Sequence, residues 1–326
     1  MRLLDTELAA PLPVRAEGVV AGRWQLRERL GRGSAAEVFR AVDPEGGPDV
    51  AVKIAAANGR KQHQRIQNEA TVLAGLNHPS IVRLLAQGVM SQGGTYAGRP
   101  FLVEELALGT NMAETIRLQS PQSGDVARWA RGLFEALAHL HTSGLVHRDI
   151  KPANLMLSGL RRSPVRIVDF GIAAAAGAAP EPGISSGTVH YMSPEQAAGG
   201  AAEPSWDVYA MGLVLLELLT GTKAFPGTAI ESLVARTLRS PEIPDSLGDW
   251  AVLLRSLTAM DPRERPTAAV AAAMASRLIP SASPSSQGFQ RTLHSPKSQW
   301  GRRGEAVAGT GPATRPFPLR RDRQQA

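Results

Sequence analysis

The chain of 326 residues contains no cysteine, which excludes disulfides and thiolate metal sites and fits a reducing compartment. Residues 1–22 hold no basic stretch followed by an apolar run, so no secretory signal is expected. The most apolar stretch, Val208 to Leu219, is too short to span a bilayer and is interrupted by Glu217. A soluble, cytoplasmic protein without a membrane span is expected. The formal net charge of +7 suggests a nucleic-acid partner, but its location argues otherwise. From Ile279 onward there are eight basic residues (Arg291, Lys297, Arg302, Arg303, Arg315, Arg320, Arg321, Arg323) and two acidic ones (Glu305, Asp322). The positive excess belongs to an appendage, the body is nearly neutral, and no nucleic-acid partner is expected.

Hydrophobic residues make up 43% of the sequence, enough for a packed core, and the length suits two compact lobes around one cleft. Residues 1–22 read as a flexible arm, with ordered sequence beginning near Trp24. From there to Gly109 the chain reads mainly as strands, among them Val50 to Ile54, Ile81 to Leu85 and Phe101 to Val103. One helix interrupts them, Arg60 to Leu76, with Ile66, Ala70 and Leu73 on a single stripe. After Gly109 the pattern turns helical. Asp125 to Ser143 carries a helix-period stripe. Asp207 to Leu219 is apolar on nearly every side and predicts a central buried helix. Trp250 to Met260 and Thr267 to Leu278 are further helices. Residues 279–326, rich in Ser, Pro, Gly, Arg and Gln, cannot bury enough apolar surface to offset chain entropy and read as a disordered tail.

Chemistry concentrates in His147-Arg148-Asp149-Ile150-Lys151-Pro152-Ala153-Asn154, followed by Asp169-Phe170-Gly171. An acid, a cation, a carboxamide and a second acid at these offsets are what phosphoryl transfer from a magnesium nucleotide needs. Asp149 would orient and deprotonate an acceptor hydroxyl. Lys151 would neutralise charge on the moving phosphoryl group, and Asn154 and Asp169 would offer hard oxygen ligands to Mg2+. The bland alternative is a polar loop in which Asp and Asn make local turns. Upstream, Gly31-Arg32-Gly33-Ser34-Ala35-Ala36-Glu37-Val38 suits a loop that covers phosphates, because glycines let backbone N–H groups approach. Taken alone it reads as an ordinary turn. Lys53 follows on a strand, on the same face as the small Ala51, which leaves room for a flat base. By itself Lys53 reads as a strand-end lysine reaching solvent; Glu69, on the helix near the Ile66 and Leu73 stripe, supplies a partner for it.

These motifs resemble the eukaryotic-type (Hanks-type) protein kinases, in their bacterial serine/threonine branch, from about Trp24 to Leu278. The resemblance implies an α+β, bilobal fold: a small β-rich N-lobe with one helix, about 23–106, and a larger helical C-lobe, about 107–278. ATP would bind between them with Mg2+. Lys53, Asp149 and Lys151 would be catalytic, and Lys53 would pair with Glu69. Leu30, Gly31, Arg32, Gly33, Ser34, Val38, Ala51 and Met156 would contact the nucleotide, as would backbone groups of Glu105 and Ala107 at the hinge. Leu73, Leu84, His147 and Phe170 would stack as a column linking the lobes. Asp207 would hold the catalytic loop, and Glu195 would pair with Arg265 as a buried structural ion pair. Thr188, in Gly187-Thr188-Val189-His190-Tyr191-Met192-Ser193-Pro194-Glu195, would lie near Asp149 and Lys151, as suits Ser/Thr acceptors.

Two departures carry expectations. Ala36 stands where the third loop glycine is usual, which stiffens the loop modestly. Glu104 falls where relatives usually carry an apolar or small residue. A carboxylate at the back of an adenine pocket is costly unless paired, so either Glu104 reaches Lys53 and competes with Glu69, or it lies one position out of register. Between Gly171 and Gly187 the only hydroxyls are Ser185 and Ser186. Arg148 precedes the catalytic acid, and kinases of that type often need a phosphate to neutralise it, so one of these serines is expected to be autophosphorylated, with a dimer serving transfer between copies. Protein substrates are the implied partners. The rival readings are a pseudokinase scaffold, against which Lys53, Asp149 and Asp169 all stand intact, and a small-molecule phosphotransferase, which typically lacks the Gly187-to-Glu195 segment.

Overall fold

Short apolar and alternating segments near the N-terminus pair edge to edge. They are Val19–Val20 (β1), Trp24–Arg32 (β2), Ala36–Val42 (β3), Val50–Ala55 (β4), Leu84–Val89 (β5) and Pro100–Glu105 (β6). The computed structural model describes residues 18–33, 35–91, 93–158, 163–179 and 189–280. The six strands form one antiparallel sheet in the order β1-β2-β3-β4-β6-β5. Strand periodicity sends Val50, Val52 and Ile54 to one face, where they pack with Phe39, Trp24, Tyr96 and Val103. Helix Arg60–Ala74 (α1) lays Ile66 and Ala70 on Leu102 and Ala55 of the other face. Its N-cap Gly59 offers no side-chain cap, and neither end carries a charge suited to the helix dipole. Tertiary contacts, rather than local sequence, therefore hold α1 in place.

The C-lobe is built on helices. After Gly109–Asn111 (β7) come Met112–Leu118 (α2) and Ser123–Thr142 (α3), then the short pairs Leu145–Val146 (β8), Leu155–Ser158 (β9), Val165–Ile167 (β10) and Ala174–Ala175 (β11). Strands β10, β9 and β7 form one small sheet, and β11 pairs with β8. Gly109 has φ 132°, and a Cβ there would lie 1.8 Å from the Leu157 carbonyl oxygen, so only glycine lets β7 approach β9. Pro194–Ala197 (α4), Pro204–Thr220 (α5), Ala229–Leu238 (α6), Asp249–Leu257 (α7) and Ala268–Arg277 (α8) complete the lobe. α5 is buried on almost every side, as its sequence predicts, and ends at left-handed Gly221. Its Val208, Leu215 and Leu216 join Leu133, Leu137, Leu254 and Ala271 in the main core.

The bilobal α+β architecture agrees with the sequence reading, with three corrections. Val19–Val20 lies inside the stretch read as an arm, and Val20 is fully buried, so the folded body begins by residue 18. The arm further upstream and the tail from 281 lie outside the described residues. The apolar run Ile81 to Leu85 is shared between lobes. Ile81 bridges Ile167 and packs with Val82 into the C-lobe core, and the strand proper starts at Leu84. Helices α2 and α6 also went unread, although α6 opens with a capping box of Thr228 and Glu231.

Arg265 anchors the base of the C-lobe. Its guanidinium donates to Glu195 at 2.9 and 2.7 Å and stacks over Tyr209. Arg265 is fully buried, whereas Glu195 keeps about a quarter of its surface exposed. Glu195→Ala would strand a buried cation and should cost about 3 kcal/mol, read as a lowered urea midpoint at unchanged slope. An unshifted midpoint would show that the ion pair contributes no stability.

Candidate functional site

Strand geometry puts Ala51 and Lys53 on the face of β4 that looks into the cleft between the lobes. Lys53 Nζ donates to Glu69 Oε1 and Oε2 of α1 at 2.7 and 2.6 Å and to Asp169 Oδ1 of the C-lobe at 2.7 Å. One ammonium thus joins sheet, helix and the opposite lobe. Burial works against its charge, but Asp169 and Glu69 outweigh that and hold its pKa well above the ordinary lysine value. Burial pushes the Glu69 carboxyl up even with Lys53 attached, because Asp169 adds a second negative charge nearby. Lys53 in turn holds the half-exposed Asp169 carboxyl well below the usual carboxylate range. The Phe170 N–H donates to Glu69 Oε1 at 3.0 Å. The column of Leu73, Leu84, His147 and Phe170 is assembled: Leu84 packs on the cluster holding Leu73 and Phe170, and the His147 and Phe170 rings lie 4.8 Å apart.

Below the cleft, the loop 147–154 follows β8. Asp149 Oδ2 accepts from Lys151 Nζ at 2.7 Å and from Asn154 Nδ2 at 3.1 Å, and Asn154 also donates to the Asp149 carbonyl at 2.9 Å. Arg148 and Asp169 are non-glycine residues in left-handed backbone, at φ 66° and 64°, a conformation that costs about 1–3 kcal/mol each and needs surrounding structure to persist. For Arg148 that structure is Asp207 at the start of α5. Its buried carboxylate accepts from the His147 and Arg148 N–H groups at 2.8 and 2.9 Å and from His141 Nε2 at 2.9 Å. Burial lowers the His147 pKa, so its ring is neutral, and Nδ1 accepts from the Asp149 N–H.

Every site residue inferred from the sequence within the described residues lines this one cleft of about 890 Å³. Ser34, Thr188, Ser185 and Ser186 lie outside the described residues. At the inner end two ammonium groups, Lys53 and Lys151, face three carboxylates, Glu69, Asp149 and Asp169. That excess of negative charge, with the Asn154 carboxamide, is a donor set suited to a hard divalent cation that keeps waters and takes further oxygens from phosphates.

The sequence matches the protein kinase domain family over residues 24–276. The chain belongs to that family. It is 35% identical over 240 residues to the probable serine/threonine-protein kinase PknB of Bifidobacterium longum, covering 70% of this chain and 34% of that protein. It is 33% identical over 261 residues to the serine/threonine-protein kinase PrkC of Bacillus subtilis, covering 76% and 39%. For the serine/threonine-protein kinase PknB of Mycobacterium tuberculosis the identity is 35% over 236 residues, covering 70% and 37%. The chain spans little more than about a third of the length of these relatives. The similarity falls in the bacterial serine/threonine branch, as the motifs imply.

Two features of this protein kinase domain escaped the sequence reading, and a third departs from it. Arg166 of β10, buried beneath the hinge, pairs with Glu105 at 2.7 Å, and the Glu105 N–H donates to the Arg83 carbonyl. Arg236 of α6, also buried, donates to the Met192 and His190 carbonyls at 2.5 and 2.9 Å and fixes the segment before α4. Neither lies in a motif; each is a charge at a position where local sequence gives no sign of burial. Third, Glu104 does not reach Lys53. It stands directly opposite Ala51, so its register is as read, but no hydrogen bond joins it to the ammonium.

Glu104 is 8% exposed, and burial first, then Glu69, pushes its carboxyl up to about 8. A folded-state pKa above the unfolded one contributes stability fully present below the unfolded value and lost as pH rises through the folded value. Between about pH 4.5 and 8 the wild type should therefore lose up to about 1.4 kcal/mol per pH unit relative to Glu104→Leu. Thermal melts of both proteins at pH 5 and pH 8 check this: the variant gains on the wild type at the higher pH. A constant difference in melting temperature would mean that Glu104 is charged throughout.

Proposed function

We propose that the protein is an ATP- and Mg2+-dependent protein serine/threonine kinase, working in the cytoplasm on protein substrates. The convergence of Lys53, Glu69, Asp149, Asn154 and Asp169 on one cleft supports this most directly. Asp149 orients the acceptor hydroxyl and takes its proton, and its carboxylate is held for that task by Lys151 and Asn154. Lys53, kept charged by its two carboxylates, neutralises phosphate oxygens. Asn154 and Asp169 hold magnesium, which when bound spreads the negative charge that builds on the transferring group. Gly31, Gly33 and Val38 cover the nucleotide from above, and backbone groups of Glu105 and Ala107 meet the base. The protein contributes little covalent chemistry; fixed placement and preset charge lower the barrier.

The resemblance to bacterial serine/threonine kinases and the Lys151 position favour Ser/Thr over Tyr acceptors. Ser185 or Ser186 is the proposed autophosphorylation site, reached between two copies. Among the described residues no helix is long and apolar enough to cross a membrane. The domain division proposed is a kinase body ending near residue 278 and a basic tail from 279 to 326.

Incubation with radiolabelled ATP, Mg2+ and a protein acceptor should give phosphoserine and phosphothreonine, and EDTA should abolish it. Asp149→Asn should lower the rate at least about 100-fold, while Lys53→Met should fail similarly. Equal incorporation by wild type and Asp149→Asn would contradict the assignment. Peptide mapping of the wild type should also find phosphate at Ser185 or Ser186 that is missing from Asp149→Asn; phosphate present equally in both would rule out self-modification there.

A further inference from the structure

Glu104 is a buried ionisable group of the cleft to which phosphotransfer gives no task. It sits on β6 across from Ala51 of β4, so its side chain faces the cavity beside the space that the small Ala51 leaves open. It is 8% exposed, and its Oε1 is fully buried with no hydrogen-bond partner among the described residues. A buried polar atom without a partner costs free energy and calls for an explanation. Lys53 does not supply one. An ammonium has three N–H donors, and those of Lys53 go to Glu69 Oε1, Glu69 Oε2 and Asp169 Oδ1.

The charged groups facing Glu104 are Lys53 from β4, Glu69 from α1 and Asp169 from the segment after β10. Strand β5, which also flanks it, contains no titratable residue. One cation already spent on two other carboxylates, together with burial, favours the neutral acid, with a pKa of about 8. A neutral carboxyl presents an O–H donor beside a carbonyl acceptor. That is the donor–acceptor pair of a glutamine amide. The amide pair reads the edge of adenine formed by the N7 acceptor and the N6 amine, whereas the same edge of guanine offers two acceptors, N7 and O6.

We propose that the Glu104 carboxyl makes a two-point contact with adenine, donating to N7 and accepting from the N6 amine, and so selects adenine over guanine nucleotides. This rests on the nucleotide-site reading of the cleft and adds a specificity-determining residue to it. The contact uses one hydrogen of the N6 amine and leaves the other for the hinge backbone at Glu105 and Ala107. Ionisation removes the donor and brings a third carboxylate charge close to Lys53, so adenine binding weakens as pH rises through about 8.

Calorimetric titration with magnesium and ADP, GDP or 7-deaza-ADP tests this without any measurement of phosphotransfer. The proteins are the wild type, Glu104→Gln and Glu104→Leu, each at pH 6.5 and pH 9.5. At pH 6.5 the wild type should prefer ADP to GDP and lose at least about fivefold in affinity when N7 is replaced by carbon. Glu104→Gln should keep both discriminations at both pH values, while the wild type at pH 9.5, with a carboxylate that can only accept, loses the N7 discrimination, binds ADP more weakly and still disfavours GDP. Glu104→Leu should bind ADP and 7-deaza-ADP alike. Wild type that binds ADP but is indifferent to N7 overturns the Glu104 assignment alone. Wild type that binds no adenine nucleotide overturns the nucleotide site, and this contact with it.

Discussion

The ammonium of Lys53 is the point on which the rest of the structure turns. It is held by Glu69 of α1 and by Asp169 of the opposite lobe, and each hydrogen bond is short. Three separate stretches of chain meet there: a strand, a helix without a side-chain cap, and a backbone turn in left-handed conformation. Remove that cation and two carboxylates would face each other in a buried space, with Glu104 as a third acid beside them. The electrostatic cost of that arrangement ties the position of α1 to the Lys53 cation.

The two lobes are held to different degrees. Asp207 reaches up from the most buried helix and fixes the His147 and Arg148 backbone with two hydrogen bonds, so the strain at Arg148 is carried by a rigid base. Arg265 and Arg236 likewise fasten the segments around α4 to the C-lobe core. α1 is held by Ile66 and Ala70 packing on the sheet, by Leu73 in the interlobe column, and at Glu69 by the Lys53 contact and the Phe170 N–H.

Much of the site was legible because its chemistry is written in short local runs. Asp149, Lys151 and Asn154 lie within six residues, and Asp169 follows on the next strand turn. Strand alternation correctly put Ala51 and Lys53 on one face, and helix spacing put Glu69 near the buried stripe. What could not be read was which charges become buried by contacts distant in sequence. Arg166 under the hinge and Arg236 behind the Met192 carbonyl are ordinary basic residues until the fold surrounds them. Glu104 was recognised as unusual, but competition with Glu69 for Lys53 was the wrong outcome. Sequence gives no count of how many acceptors one ammonium already serves. The division of Ile81 to Leu85 between lobes was hidden for a similar reason, since its burial is decided by β10, more than 80 residues downstream.

The most direct test of the shared-cation site is a crystal structure of the protein with magnesium and a non-hydrolysable ATP analogue. Lys53 Nζ should remain on Glu69 and exchange Asp169 for a phosphate oxygen, with oxygens of Asp169 and Asn154 about 2.1 Å from the metal. A nucleotide bound elsewhere, or a metal bound without Asp169 and with Lys53 turned out of the cleft, would contradict it.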